Sequence, residues 1–275
     1  ILCTYYIIRP IRAEMAVANG VENIQWLFLF AMLVLLAIAP VFGWITSRYK
    51  TRQFLSVITA FFAINLLIFY FLFLNPERSV WVTRGFYVWV NAFSMFIVSL
   101  FWSFMNDIFS TASAKRLFAY IAAGGTAGAI TGPLITTNLV EHFGLAPLLL
   151  ISATTLLCSI ATIRWLVGWR TLLDTNQPQS ETMSLPTQPT PGTYGGSLGG
   201  SAFSGLKLIV QSKYLLAICL FITLYAVSIT FVVIQQAELI EQNYASPAAR
   251  TKLFSQIDLA VNVLTLLIQL FLTSK

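Results

Sequence analysis

Residues 24–46 read IQWLFLFAMLVLLAIAPVFGWIT and contain no Asp, Glu, Lys or Arg. The hydrocarbon of a bilayer is about 30 Å thick and takes roughly 20 apolar residues of helix to cross, so this stretch is long enough to span it. Similar runs recur near 53–74, 81–105, 117–139, 144–167, 213–237 and 253–273, and a shorter one covers Ile1 to about Ala18. A membrane barrel would instead show segments of roughly ten residues with alternating polarity. These runs are apolar on every face, so the expected class is an all-α polytopic membrane protein.

Composition agrees. With 57% hydrophobic and 9% charged residues, too little polar surface exists to coat a water-soluble globule. The runs group into a six-helix transmembrane half over 1–168, a linker over 169–212, and the first two helices of a second half over 213–275. The linker is rich in Thr, Ser, Pro and Gly, as in Leu185-Pro186-Thr187-Gln188-Pro189 and Gly195-Gly196-Ser197-Leu198-Gly199-Gly200. It cannot bury a core and reads as a flexible tether; no GxxxxGK[ST] pattern makes it a phosphate loop. The chain starts at Ile1 and stops at Lys275 as an eighth helix finishes, and it is expected to be a fragment, its first segment a clipped helix rather than a signal peptide.

Basic residues fall unevenly on alternate connections. One set holds Arg48, Lys50, Arg52, Lys115, Arg116, Arg170, Lys207 and Lys213, the other Arg78, Arg84, Arg250 and Lys252. The richer set is expected on the cytoplasmic side of the inner membrane, which places the linker and the 43–52 loop there. The net charge of +6 is then a matter of topology, and no nucleic-acid partner is expected. Cys3, Cys158 and Cys219 lie in apolar runs without CxxC spacing, and His142 is the only histidine. Neither a metal site nor a catalytic set is expected.

Charges inside the membrane are costly and usually line a substrate path. Arg9 and Arg12, three apart, share a helix side with Tyr5, and Pro10 between them frees a carbonyl one turn earlier. Two guanidiniums on one cavity-facing helix suit a phosphate or carboxylate; the alternative is that they snorkel to the interface. Glu14 points off that face, towards an outer mouth. Asp258 and Asn262 lie one turn apart in the last run, where Asp258 can take a proton or pair with an arginine of the first. Asn65, Asn91, Asn106, Asp107, Gln235, Gln236 and Gln269 read as interhelical hydrogen-bonding groups.

The turn Gly43-Trp44-Ile45-Thr46-Ser47-Arg48-Tyr49-Lys50-Thr51-Arg52 resembles the motif between helices two and three of the major facilitator superfamily, roughly G-x-L-x-D-R-x-G-R-[KR]. Gly43, Arg48 and Arg52 match, with Ser47 at the acidic position and Lys50 at the second glycine. Gly124-Gly125-Thr126-Ala127-Gly128-Ala129-Ile130-Thr131-Gly132-Pro133 has small residues four apart, a groove for close helix approach. Gly128, Gly132 and Pro133 also match the antiporter motif in helix five of that superfamily. The resemblance implies that these six residues serve gating and conformational change.

Leu2 to Val17, with Arg9-Pro10-Ile11-Arg12-Ala13-Glu14, is similar to helix one of the ATP/ADP exchange transporters of plastids and intracellular bacteria. That family carries a basic residue, usually lysine, three positions after an arginine, and then an acid; Arg12 takes the lysine position, and Glu14 stands one residue displaced. Phe101-Trp102-Ser103-Phe104-Met105-Asn106-Asp107 and Ala114-Lys115-Arg116-Leu117-Phe118 also resemble it. The expectation is a major facilitator type secondary transporter that moves an organic anion, a nucleotide or phosphorylated metabolite, by alternating access. Arg9, Arg12, Tyr5, Asp258 and Asn262 form the expected substrate site. The protein is expected to be monomeric, to need no cofactor and to be no enzyme. Alternatives are a lipid flippase or a polytopic enzyme acting on lipid.

Overall fold

The computed structural model describes residues 1–48, 51–75, 79–108, 111–176 and 212–271, with the side chains of 42, 44–48, 51–54, 103–108, 111–120, 166–167, 169–176 and 270 left aside. The described secondary structure is helical throughout: α1 (Leu2–Ala18), a short 3-10 turn (Val21–Asn23), α2 (Ile24–Arg48), α3 (Thr51–Phe73), α4 (Val80–Ile108), α5 (Thr111–Phe143), α6 (Ala146–Asn176), α7 (Lys213–Asn243) and α8 (Pro247–Phe271). Among the described residues, six stretches are long and apolar enough to cross a membrane: Val21–Val41, Leu55–Phe73, Val80–Trp102, Ala146–Trp165, Lys213–Asn243 and Pro247–Gln269. The chain is a multi-pass membrane protein. Helix α1, with 17 residues, is shorter than such a span.

Two compact units form, residues 1–168 with 237–275, and residues 169–236. Helix α6 continues to Asn176, into the stretch read from composition as linker; the Pro- and Gly-rich part of that stretch lies outside the described residues. Within the second unit, the α7 side chains Tyr214, Phe221, Leu224, Tyr225 and Phe231 are exposed.

In the first unit α1 runs through the core. Its Ile7, Ile8, Ile11 and Met15 are buried, packed with Phe86, Val90, Phe93 and Ile97 of α4, Leu148, Leu149, Ala153 and Leu156 of α6, and Phe62, Ala63 and Leu66 of α3. Helix α3 explains why the apolar runs carry no polar face. Val57, Phe61, Ile64, Ile68 and Phe71 recur at helical spacing on an exposed side, the pattern of a helix with lipid on one face and protein on the other. Because lipid tails are as apolar as leucine, tight packing rather than removal from water holds such helices together. The α3–α4 seam supplies it with rings: Phe62 meets Phe93 edge-on at 5.0 Å, and Phe69 meets Phe86 at 5.1 Å. Such pairs contribute about 0.5–1.5 kcal/mol each beyond their contact area.

The glycine stripe of α5 faces α1. A Cβ added at Gly128 would lie 3.0 Å from the Cys3 backbone nitrogen, and one at Gly132 would lie 2.7 Å from Tyr6 Cβ and 2.8 Å from the Cys3 carbonyl oxygen. The two backbones are therefore in direct contact, which only residues without side chains allow. Thr4 and Thr155 share a 2.8 Å hydroxyl hydrogen bond between α1 and α6, and Ser255 of α8 donates to the Pro133 carbonyl at 2.7 Å. Helix α5 ends where Gly144 takes a φ of +76° and its N–H returns to the Val140 carbonyl at 2.9 Å, an ending that glycine accommodates without strain.

Candidate anion site on the first helix

Arg9 and Arg12 project from α1 about 60° apart around the helix axis, and that angle sends them to different neighbours. Arg9 Nη1 lies 3.1 Å from Asp258 Oδ1 of α8, and its guanidinium carbon sits 5.7 Å from the Tyr6 ring centre. Arg12 turns to α4: its Nη1 donates to Asn91 Oδ1 at 2.9 Å, and its guanidinium carbon lies 5.8 Å from the Tyr87 ring centre. Asn91 Nδ2 in turn donates to the Tyr87 carbonyl at 2.8 Å, which fixes the orientation of the amide. Arg12 Nε is buried with no hydrogen-bond partner among the described residues.

The two cations are thus unequal. Arg9 is matched by a carboxylate, whereas Arg12 is held by a neutral amide and an aromatic face, and no described carboxylate lies within 4.0 Å of it. A guanidinium inside a membrane protein is costly unless compensated, so this corner can accept an anion.

Tyr5, expected beside the arginines, packs edge-on against Tyr6 at 5.3 Å and against the hydrophobic core; Tyr6 is the ring under Arg9. Asn262 donates to the Asp258 carbonyl of its own helix at 2.8 Å. Glu14, read as facing an outer mouth, is fully buried and takes two bonds from Arg250 of α8, from Nε at 2.8 Å and from Nη2 at 2.9 Å. Lys252 Nζ meets Glu141 Oε2 at 2.6 Å, so α8 is tied to both α1 and α5 along one end. Gly128, Gly132 and Pro133 all lie on the α5 seams just described. A Cβ at Gly43 would meet nothing within 4 Å, and the side chains of Arg48 and Arg52 lie outside the described residues.

A separate cavity of about 450 Å³ opens at the start of α1, with Leu2, Val98, Trp102, Gly125 and Thr162 in its wall. The wall is almost entirely apolar, and neither Arg9 nor Arg12 lines it. Among the described residues it presents no charged side chain to an anion, so the candidate chemistry rests with the arginines.

Tyr87 and Tyr6 carried no distinctive pattern in the sequence. Asn91 stood out only as an amide inside an apolar run, and Arg250 only as a loop cation.

The described residues thus form a polytopic helical membrane protein with an arginine-bearing helix packed in its core. The chain belongs to the TLC ATP/ADP transporter family, whose model matches residues 78–275. It is similar to ADP,ATP carrier protein 1 of Rickettsia bellii (strain RML369-C), at 25% identity over 272 aligned residues covering 84% of this chain and 52% of the relative. The chain spans about half the length of that curated relative. No solved structure matches it significantly.

Proposed function

We propose that the protein is a secondary transporter that exchanges nucleotides, ATP against ADP or a close analogue, across the inner membrane. The observation that carries this reading is the half-buried Arg12 guanidinium, oriented by Asn91 and Tyr87, whose buried Nε has no hydrogen-bond partner among the described residues. Family membership supports the nucleotide, whose phosphates match a planar, bidentate donor. Arg9 is the second cation, with Asp258 occupying it until substrate arrives; Tyr5 and Asn262 complete the wall. Alternating access of major facilitator type follows in this reading, with the 43–52 turn and the linker cytoplasmic and Gly43, Arg48, Arg52, Gly128, Gly132 and Pro133 serving the conformational change. A ligand drives the switch only through a difference in its binding to the two states, and the Arg9–Asp258 pair, which an anion on Arg9 would have to displace, supplies one.

Uptake of labelled ATP by the whole protein in proteoliposomes preloaded with ADP is the test. Uptake is expected to require internal ADP and to fall at least tenfold in Arg12→Ala. Absence of uptake by folded protein would reject the nucleotide and turn attention to phosphorylated metabolites and lipid head groups.

A further inference from the structure

We infer that Asn91 is the positioning residue for the substrate anion: its neutral amide orients Arg12 without setting a carboxylate in direct contact with the guanidinium. This rests on the anion-site reading given above. The inference comes from the contrast between the two arginines. At Arg9 the protein supplies a carboxylate, Asp258, at 3.1 Å. At Arg12 it supplies an amide oxygen at 2.9 Å, backed by the Asn91 Nδ2 bond to the Tyr87 carbonyl, with the Tyr87 ring against the guanidinium.

An aspartate at position 91 would be nearly isosteric and would turn the bond to Arg12 into an ion pair. It would do so at the cost of the Asn91 Nδ2 bond to the Tyr87 carbonyl, and the amide holds Arg12 without setting a carboxylate against it. Asn91 thus makes Arg12 the first point of capture, whereas Arg9 must first give up Asp258. The ligand class follows: an anion with paired oxygens, such as a phosphate of a nucleotide, that can pair with Arg12 and then compete with Asp258 for Arg9.

Asn91→Asp separates charge from tether, because it keeps the bond to Arg12 and cancels its charge. In the ADP-loaded proteoliposome assay it is expected to raise KM for ATP at least tenfold with kcat changed less than about threefold. If Asn91 were only an interhelical hydrogen bond, the same variant would leave KM within twofold of the parent, and that result overturns the inference. Asn91→Leu, which removes the tether and keeps the charge, covers the case in which the acid does not fold. Its KM is expected to rise at least threefold, and an unchanged KM there is equally fatal. Arg12→Ala, run in parallel, separates the two levels: full uptake by Arg12→Ala sinks the anion site itself, whereas loss in Arg12→Ala beside normal KM in Asn91→Asp sinks only the role of Asn91.

Discussion

Arg250→Ala is expected to destabilise the first unit by about 3–5 kcal/mol, the range for removing one partner of a buried ion pair. Glu14 is fully buried and Arg250 is 13% exposed, with both guanidinium bonds under 3.0 Å. Removing the guanidinium strips a carboxylate of two charge-assisted bonds in a place where water cannot replace them. The neighbouring pair is the internal control. Lys252 and Glu141 are 31% and 47% exposed, so Lys252→Ala should cost about 1 kcal/mol or less. Equilibrium unfolding from detergent micelles measures both. The double change Glu14→Leu with Arg250→Met removes both charges at similar volume and should recover most of the loss; a double variant as unstable as Arg250→Ala would show that shape, not charge, is at stake. The position of the pair also matters to function. It joins α1 to α8 about one and a half turns beyond Arg9, so loosening it frees the two helices that hold Arg9 against Asp258.

The helices themselves were legible from the apolar runs, because the length needed to cross lipid is a strong constraint on sequence. The close approach at Gly128 and Gly132 was legible too, since small residues four apart leave few other uses for that face. What could not be read was the partner. A run that is apolar on all sides has no amphipathic direction, so spacing puts Arg9 and Arg12 on one side of α1 without saying that α8 takes one and α4 the other. The same gap hid Glu14: the cation that bonds it, Arg250, stands more than two hundred positions away in sequence. Asp258 fared better, because an acid inside an apolar run has few ways to be satisfied and an arginine in another run is one of them. Tyr87 and Asn91 show the limit most clearly. Their spacing of four is visible in the sequence, but the amide-to-backbone bond that aims Asn91 at Arg12 is a property of the folded helix.

Gly132→Ala is expected to destabilise the protein by about 1–3 kcal/mol, the cost of overpacking a tight contact, while Gly124→Ala on the same helix should stabilise it by up to about 1 kcal/mol through helix propensity. The opposite signs follow from geometry. A Cβ at Gly132 would meet Tyr6 Cβ at 2.7 Å and the Cys3 carbonyl oxygen at 2.8 Å, whereas one at Gly124 meets nothing within 4 Å. Between them, Gly128→Ala meets the Cys3 backbone nitrogen at 3.0 Å, and Gly125→Ala meets only the tip of Leu2 at the same distance. A flexible side-chain tip can move and a backbone atom cannot, so the order of loss should be 132, then 128, then 125, with 124 reversed. Unfolding of the four variants under one set of detergent conditions tests the order, and equal losses at 124 and 132 would mean that helix propensity rather than the α1 contact governs this stripe. Because α1 carries Arg9 and Arg12, a backbone that gives way at Gly132 also displaces both guanidiniums from Asp258 and Asn91. Gly132→Ala should therefore weaken ATP uptake along with stability, and Gly124→Ala should leave uptake intact.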